Sequence, residues 1–262
     1  MNKRWYVGIL IVAAVLVYAG CKQSEKKAEE PVPVAGDPYL GGLVWNNWAD
    51  QVAGGSGYPA GFDSKMKDFL RCKACHGWDA AGLNGGYVRR TAKDSRPAPL
   101  PTADLTTKLG TITKQQVQYA SGREFAVLDK RMPAFNQPGG LTDKQVVDVM
   151  AFLNQGPKVT DFARLDIAQN PVAYTFTGAD PKAGGELYTN RCAACHDVDG
   201  KGIDMSLGNY FREDGKYSEG FHKMVYGAGG TSIMTRTASG DLTGRQAADI
   251  LAYIQANLGS RF

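Results

Sequence analysis

The chain has 262 residues, 43% of them hydrophobic, with a formal charge of +4, 12 prolines and 32 glycines. That length allows one or two domains with real cores, and the composition is too ordinary for a chain disordered throughout. Its basic residues form no run interleaved with aromatics, which argues against a nucleic-acid partner.

The first element reads as an export signal. Met-Asn-Lys-Arg gives a cationic start, and Trp5 to Ala19 is almost wholly apolar before Gly20-Cys21. The apolar run is shorter than the roughly 20 residues that cross a bilayer. Residues 1–20 are therefore expected to be a cleaved signal peptide, the alternative being an uncleaved anchor. Ala19-Gly20-Cys21 resembles the lipobox of bacterial lipoproteins, although Tyr18 stands where that pattern usually has Leu. The resemblance implies lipidation of Cys21 and a place on the periplasmic or other extracytoplasmic face of a bacterial membrane. Residues 21–37, charged and then Pro-containing, read as a solvated tether.

Residues 38–62 follow as an N-terminal arm. Leu40, Val44, Trp48 and Val52 stand four apart, a spacing that predicts a short amphipathic helix with a glycine-rich exit. The arm is expected to pack over the next domain, with partner docking through Trp45 and Trp48 as the alternative.

Chemistry enters with the cysteines. There are five, and with Cys21 assigned to lipid the other four form two pairs, Cys72 with Cys75 and Cys192 with Cys195. Each pair sits in a repeated run, RCKACH at 71–76 and RCAACH at 191–196. Cys-x-x-Cys-His is the attachment signature of c-type haem: both sulfurs add to the haem vinyl groups while His76 or His196 is placed to bind iron. Residues three apart on a helical turn share a face, so both thioethers can reach one porphyrin edge. A thioredoxin-like dithiol lacks its strand-helix-strand context here. A four-cysteine zinc site, or a disulfide within each pair, leaves both histidines unexplained.

The repeat runs further. VQYASG (117–122) matches MVYGAG (224–229), RMPAF (131–135) lies opposite IMTRT (233–237), and LTDKQVVDVMAFL (141–153) lies opposite LTGRQAADILAYI (242–254). Thr142 with Gln145, and Thr243 with Gln246, predict capping boxes at the starts of two helices. Val146, Val149, Met150 and Leu153 form an apolar stripe on one, and Ala247, Ile250, Leu251, Ile254 and Leu258 on the other. SKMKDFLR and AGGELYTNR, just before the two motifs, also read as helices.

On these residues both halves resemble class I cytochrome c domains, over about residues 63–156 and 179–262, joined by a linker at 157–178. The resemblance implies an all-α fold of two tandem domains, each wrapped around one covalently bound haem c. It also implies a distal Met before each last helix: Met132 opposite His76 and Met234 opposite His196. Thr142 lies ten residues after Met132, and Thr243 nine after Met234. Met132 has the family's Met-Pro-Ala context, whereas Met234 is followed by Thr235. Met205, Met224 and His222 are its competitors, and His222 is expected to be half exposed on a helix. Family members hold the proximal imidazole with a Pro-x-Leu carbonyl, a role open to Pro99 or Pro101 in the first half and without an obvious holder in the second.

Two His/Met haems would both be six-coordinate, with no open position for substrate. The expected function is thus a membrane-anchored dihaem electron carrier between redox protein donor and acceptor, not an enzyme. A dihaem peroxidase-like protein with one opening site, or the electron-transfer subunit of a membrane oxidoreductase complex, stand as the alternatives.

Overall fold

The computed structural model describes residues 35–48, 68, 70–93, 103–119, 140–203, 206–229 and 234–258. All lie within one compact unit, Val34–Phe262. The export segment with Cys21, most of SKMKDFLR, Pro99, Pro101, Met132 and Met205 lie outside the described residues.

In chain order the described elements are α1 (Pro38–Asn46), α2 (Cys72–His76), α3 (Lys114–Tyr119) and α4 (Asp143–Gln155), then β1 (Ala163–Asp166) and β2 (Ala173–Phe176). After them come α5 (Pro181–Arg191), α6 (Ala193–His196), α7 (Leu207–Tyr210), α8 (Lys216–Tyr226), α9 (Arg236–Ser239), α10 (Gly244–Tyr253) and a π turn, Ile254–Leu258. The chain is mostly helical, but the linker is not bare connection: β1 and β2 pair antiparallel, Ala163 opposite Phe176 and Asp166 opposite Ala173.

Local chemistry fixes the two long C-terminal helices. At α4 the Thr142 side chain accepts from Gln145 N while Gln145 reaches back to Thr142 N, and at α10 Thr243 and Gln246 do the same. Val146, Val149 and Leu153 of α4, and Ala247, Ile250, Leu251, Ile254 and Leu258 of α10 and its π turn, are buried as their spacing predicts. Each fully buried aliphatic side chain contributes about 1.5–3 kcal/mol relative to exposure.

What covers those stripes repeats as well. α1 packs on α4 as α5 packs on α10. Asp37 caps α1 with its side chain while its N–H donates to Asp148 Oδ1 at 2.7 Å, and Asp180 caps α5 while its N–H donates to Asp249 Oδ1 at 2.9 Å. At both crossings a glycine lets the backbones touch: a Cβ on Gly41 would run into the Asp148 carbonyl, and one on Gly184 into the Asp249 carbonyl.

Two expectations about the arm need correction. Its helix ends at Asn46, before Trp48, and Leu40 points outward at 45% exposure while Gly41, Gly42, Val44 and Trp45 form the covered face. The close crossing selects for small residues on that face, and the four-residue spacing misses them. Trp45 and Trp48 are buried at 2% and 0% exposure, which removes them from any docking surface.

The halves meet along a continuous seam. Helix α8 of the second half lies against α1 and against the residues after α2: Tyr226 packs on Gly42, Asn46 Nδ2 donates to Ala228 O at 2.5 Å, and Tyr226 Oη donates to Pro157 O at 2.7 Å. Arg89 reaches across to Asp214 and to the carbonyls of Ile167 and Gln169 in the hairpin turn.

Candidate haem-attachment sites

In the first half the motif is a single turn, α2, entered through extended Arg71 and left through Gly77 at φ 77°, ψ 168°. The turn puts Cys72 and Cys75 on one side and sends His76 on toward the site. Cys72, Cys75, Cys192 and Cys195 are all free thiols. Burial pushes the Cys72 thiol up to about 12 and the Cys75 thiol up to about 11. An apolar setting that keeps a thiol protonated disfavours the reactive dithiol. Among the described residues no three His, Cys, Asp or Glu side chains gather to hold a metal ion, so the two cysteine pairs do not converge on one zinc.

His76 is oriented from behind. Its Nδ1–H donates to the Ala103 carbonyl at 2.6 Å, which fixes the tautomer and leaves the Nε2 lone pair for a metal. Burial lowers the His76 pKa, and the Ala103 hydrogen bond opposes that shift only in part, so the ring is held neutral as a ligand must be. Among the described residues the holder is Ala103; Pro99 and Pro101 lie outside them. A carbonyl carries no side-chain signature, so only the folded loop reveals which one faces the ring.

Trp45 closes the site from α1. Its Nε1–H donates to Gly77 O at 3.0 Å, and its ring lies 5.5 Å from that of His76 and 5.3 Å from Phe152. The second half builds the same brace from a different residue: Tyr188 on α5 donates its hydroxyl to Asp197 O at 2.7 Å. Gly77 and Asp197 each follow the motif histidine, and Asp197 adopts φ 56°, ψ 165°, the conformation that Gly77 holds. In each half, then, the first helix brings an aromatic donor to the carbonyl next to the proximal histidine. Sequence reasoning missed this pair, although DPYLGG (37–42) and DPKAGG (180–185) carried the signal.

The second motif is α6, with Cys192 at its cap. Burial pushes the Cys192 thiol up to about 11 and lowers His196. His196 Nδ1 is buried without a hydrogen-bond partner. Met234 packs half-buried against the core, and its carbonyl accepts from Ala228 N at 2.8 Å, tying it to the end of α8. Met224 is buried in the core. His222 is not half exposed but 2% exposed, and its Nε2–H donates to Gly42 O at 2.9 Å. The ring is walled into the seam by Trp78, Phe152 and Tyr226. The aromatic walls of that seam, unseen in the sequence of α8 alone, explain the difference.

Two half-buried thiols on one helical turn and a neutral histidine with a free lone pair beside them suit a covalently held haem. A comparison with protein-family models matches cytochrome c at residues 65–157 and again at 181–257. No curated protein and no solved structure matches the chain. With well over half of its length inside those two matches, the chain belongs to the cytochrome c family and carries two cytochrome c domains, whose work is haem-based electron transfer.

Proposed function

We propose that the protein is a dihaem electron carrier, with one haem c on Cys72 and Cys75 and a second on Cys192 and Cys195. The observation that carries this reading is the duplicated brace, Trp45 to Gly77 O and Tyr188 to Asp197 O, set beside each motif histidine. Haem supplies an iron that alternates between ferric and ferrous states as one electron arrives or leaves. His76 and His196 would hold it from one side, Met132 and Met234 from the other, and neutral Met ligation makes for relatively oxidising centres. Ala103 keeps His76 in the ligating tautomer, and Trp45 and Phe152 keep water from the proximal side. With one histidine and one methionine for each iron, these residues would leave no position for a substrate, and the role would be transfer to and from redox proteins.

In this reading the first domain begins at Asp37, because α1 does for α4 what α5 does for α10. Cys21 carries a lipid that fixes the chain to a bacterial membrane outside the cytoplasm. His222, committed to Gly42, is left out of the ligand set. The test is expression with a cytochrome c maturation system, followed by intact mass and near-infrared spectra of wild type, Met132→Ala and Met234→Ala. Two haems per chain are expected, with one Met-iron charge-transfer band lost in each variant. A single haem, or a full signal in either variant, would overturn the assignment concerned.

A further inference from the structure

The two distal methionines sit in different stretches of chain. Met132 is followed by Pro133, whose ring fixes the backbone, whereas Met234 is followed by Thr235. At Met234 a hold comes from outside its own half. Ala228, just beyond α8, donates its N–H to Met234 O at 2.8 Å. The Ala228 carbonyl accepts from Asn46 Nδ2 at 2.5 Å, and Asn46 is the last residue of α1. Two hydrogen bonds in series thus run from the first half through Ala228 to Met234.

A second contact clasps the other side of Met234. The Tyr39 ring lies against the Arg236 guanidinium at 3.9 Å, and Arg236 stands two residues after Met234. Tyr39, Gly42 and Asn46 follow one another at i, i+3 and i+7, so they share one face of α1, and Gly42 on that face receives the Tyr226 ring. Trp45, the neighbour of Asn46, turns instead to the first half and donates to Gly77 O beside His76. The repeat marks the clasp as an addition. At the positions of Tyr39, Gly42 and Asn46, α5 carries Lys182, Gly185 and Thr189, which line an open groove, and Thr189 Oγ1 donates within its own helix to Gly185 O at 2.9 Å. Asn46, by contrast, is 8% exposed, and the bond that it makes across the seam accounts for a buried amide there.

We infer that Asn46 is a positioning residue for Met234, so that the first domain keeps the sixth ligand of the second domain's iron in place. The inference rests on the reading in which Met234 is that ligand. Without the Asn46 donor, Ala228 O loses its partner across the seam, and Met234 keeps its bond to Ala228 but not the anchor behind it. The second haem then exchanges its methionine more readily, while the ligands of the first keep theirs. Whether the second iron stays closed is in this way decided by a helix of the other domain.

The test is carbon monoxide binding, in stopped flow, to the dithionite-reduced, haem-loaded chain. Carbon monoxide replaces the methionine sulfur on ferrous iron with no change in oxidation state, so its rate reads how firmly that sulfur is held. Asn46→Leu is expected to bind one carbon monoxide per chain about tenfold faster than wild type, the worth of one hydrogen bond. Adding Met132→Ala should bring a second fast carbon monoxide, which assigns the first to the second haem. Arg89→Gln, which loosens the seam at the hairpin turn, should stay within about twofold of wild type. In the wild type the Asn46 side-chain amide should exchange its protons about tenfold more slowly than a free amide, and this measurement decides the matter should Asn46→Leu not fold. An unchanged rate in Asn46→Leu, an equal acceleration by Arg89→Gln, a double variant with one fast carbon monoxide, or a freely exchanging Asn46 amide would each overturn the positioning role. A Met234→Ala chain that binds carbon monoxide no faster than wild type would instead remove Met234 from the ligand set, and the inference with it.

Discussion

His222 gives the seam a pH dependence that can be worked out. Its ring is enclosed by Trp78 at 4.7 Å, Phe152 at 5.5 Å and Tyr226 at 4.7 Å, and it donates to Gly42 O at 2.9 Å. Burial pulls its pKa down to about 3, the Gly42 bond and Glu219 opposing and Lys73 and Lys223 adding to the shift. In the unfolded chain the ring titrates near 6.5. Below about pH 6.5 the unfolded state takes up a proton that the folded state refuses, so stability falls as pH falls and levels off only near 3. Each pH unit in that window costs about 1.4 kcal/mol, and the loss between pH 8 and pH 5 from this residue is about 2 kcal/mol. His222→Gln keeps an N–H donor for Gly42 and does not titrate. Denaturant unfolding of the haem-loaded protein at pH 8, 6.5 and 5 should therefore show the acid loss shrinking by about 2 kcal/mol in the variant. Parallel pH profiles for the two proteins would refute the buried, neutral histidine.

Three further outcomes follow from the geometry. Asp197→Gly should stabilise the second half by about 1 kcal/mol, since relief of a strained backbone of about 1–3 kcal/mol exceeds the glycine entropy of about 0.5–1; thermal unfolding checks this, and an unchanged midpoint counts against strain at φ 56°. Gly41→Ala and Gly184→Ala should each cost about 1–3 kcal/mol, because the new methyl meets a backbone carbonyl that cannot swing aside. Measured side by side in denaturant, similar losses are expected, and a loss below about 0.5 kcal/mol in both would sink the close-crossing argument. Lys158→Met should cost about 1–3 kcal/mol, because buried Nζ donates to the carbonyls of Phe152, Leu153 and Gly156 at the end of α4 and leaves them without that partner when removed. A circular-dichroism melt within a degree of wild type would show that water replaces the amine.

What could be read from the chain was what is local in it. Thr142 with Gln145 announces a helix start because the cap is made within four residues, and Cys72, Cys75 and His76 announce their chemistry because one turn brings them together. α1 was harder. Asp37 stands 35 residues before Cys72 whereas Asp180 stands 12 before Cys192, so the first helix of the first half looked like an arm instead of the partner of α4. The role of Ala103 was invisible because a backbone carbonyl has no letter of its own. His222 read as a half-exposed helical residue because its burial comes from Trp78, Phe152 and Gly42, none of them close in sequence.

The seam also ties the assembly of the two halves together. The bond from Asp37 to Asp148 closes 111 residues of chain and that from Asp180 to Asp249 closes 69. Closure entropy grows only logarithmically, so the longer loop costs the first half about 0.4 kcal/mol more, a small handicap. The larger one is that Gly42 meets His222 180 residues away, so the first half borrows part of its wall from a helix made much later in synthesis. The dependence runs both ways, because His222 and Tyr226 of α8 are walled in turn by Trp78, Phe152 and Gly42 of the first half, so each half completes the other's core.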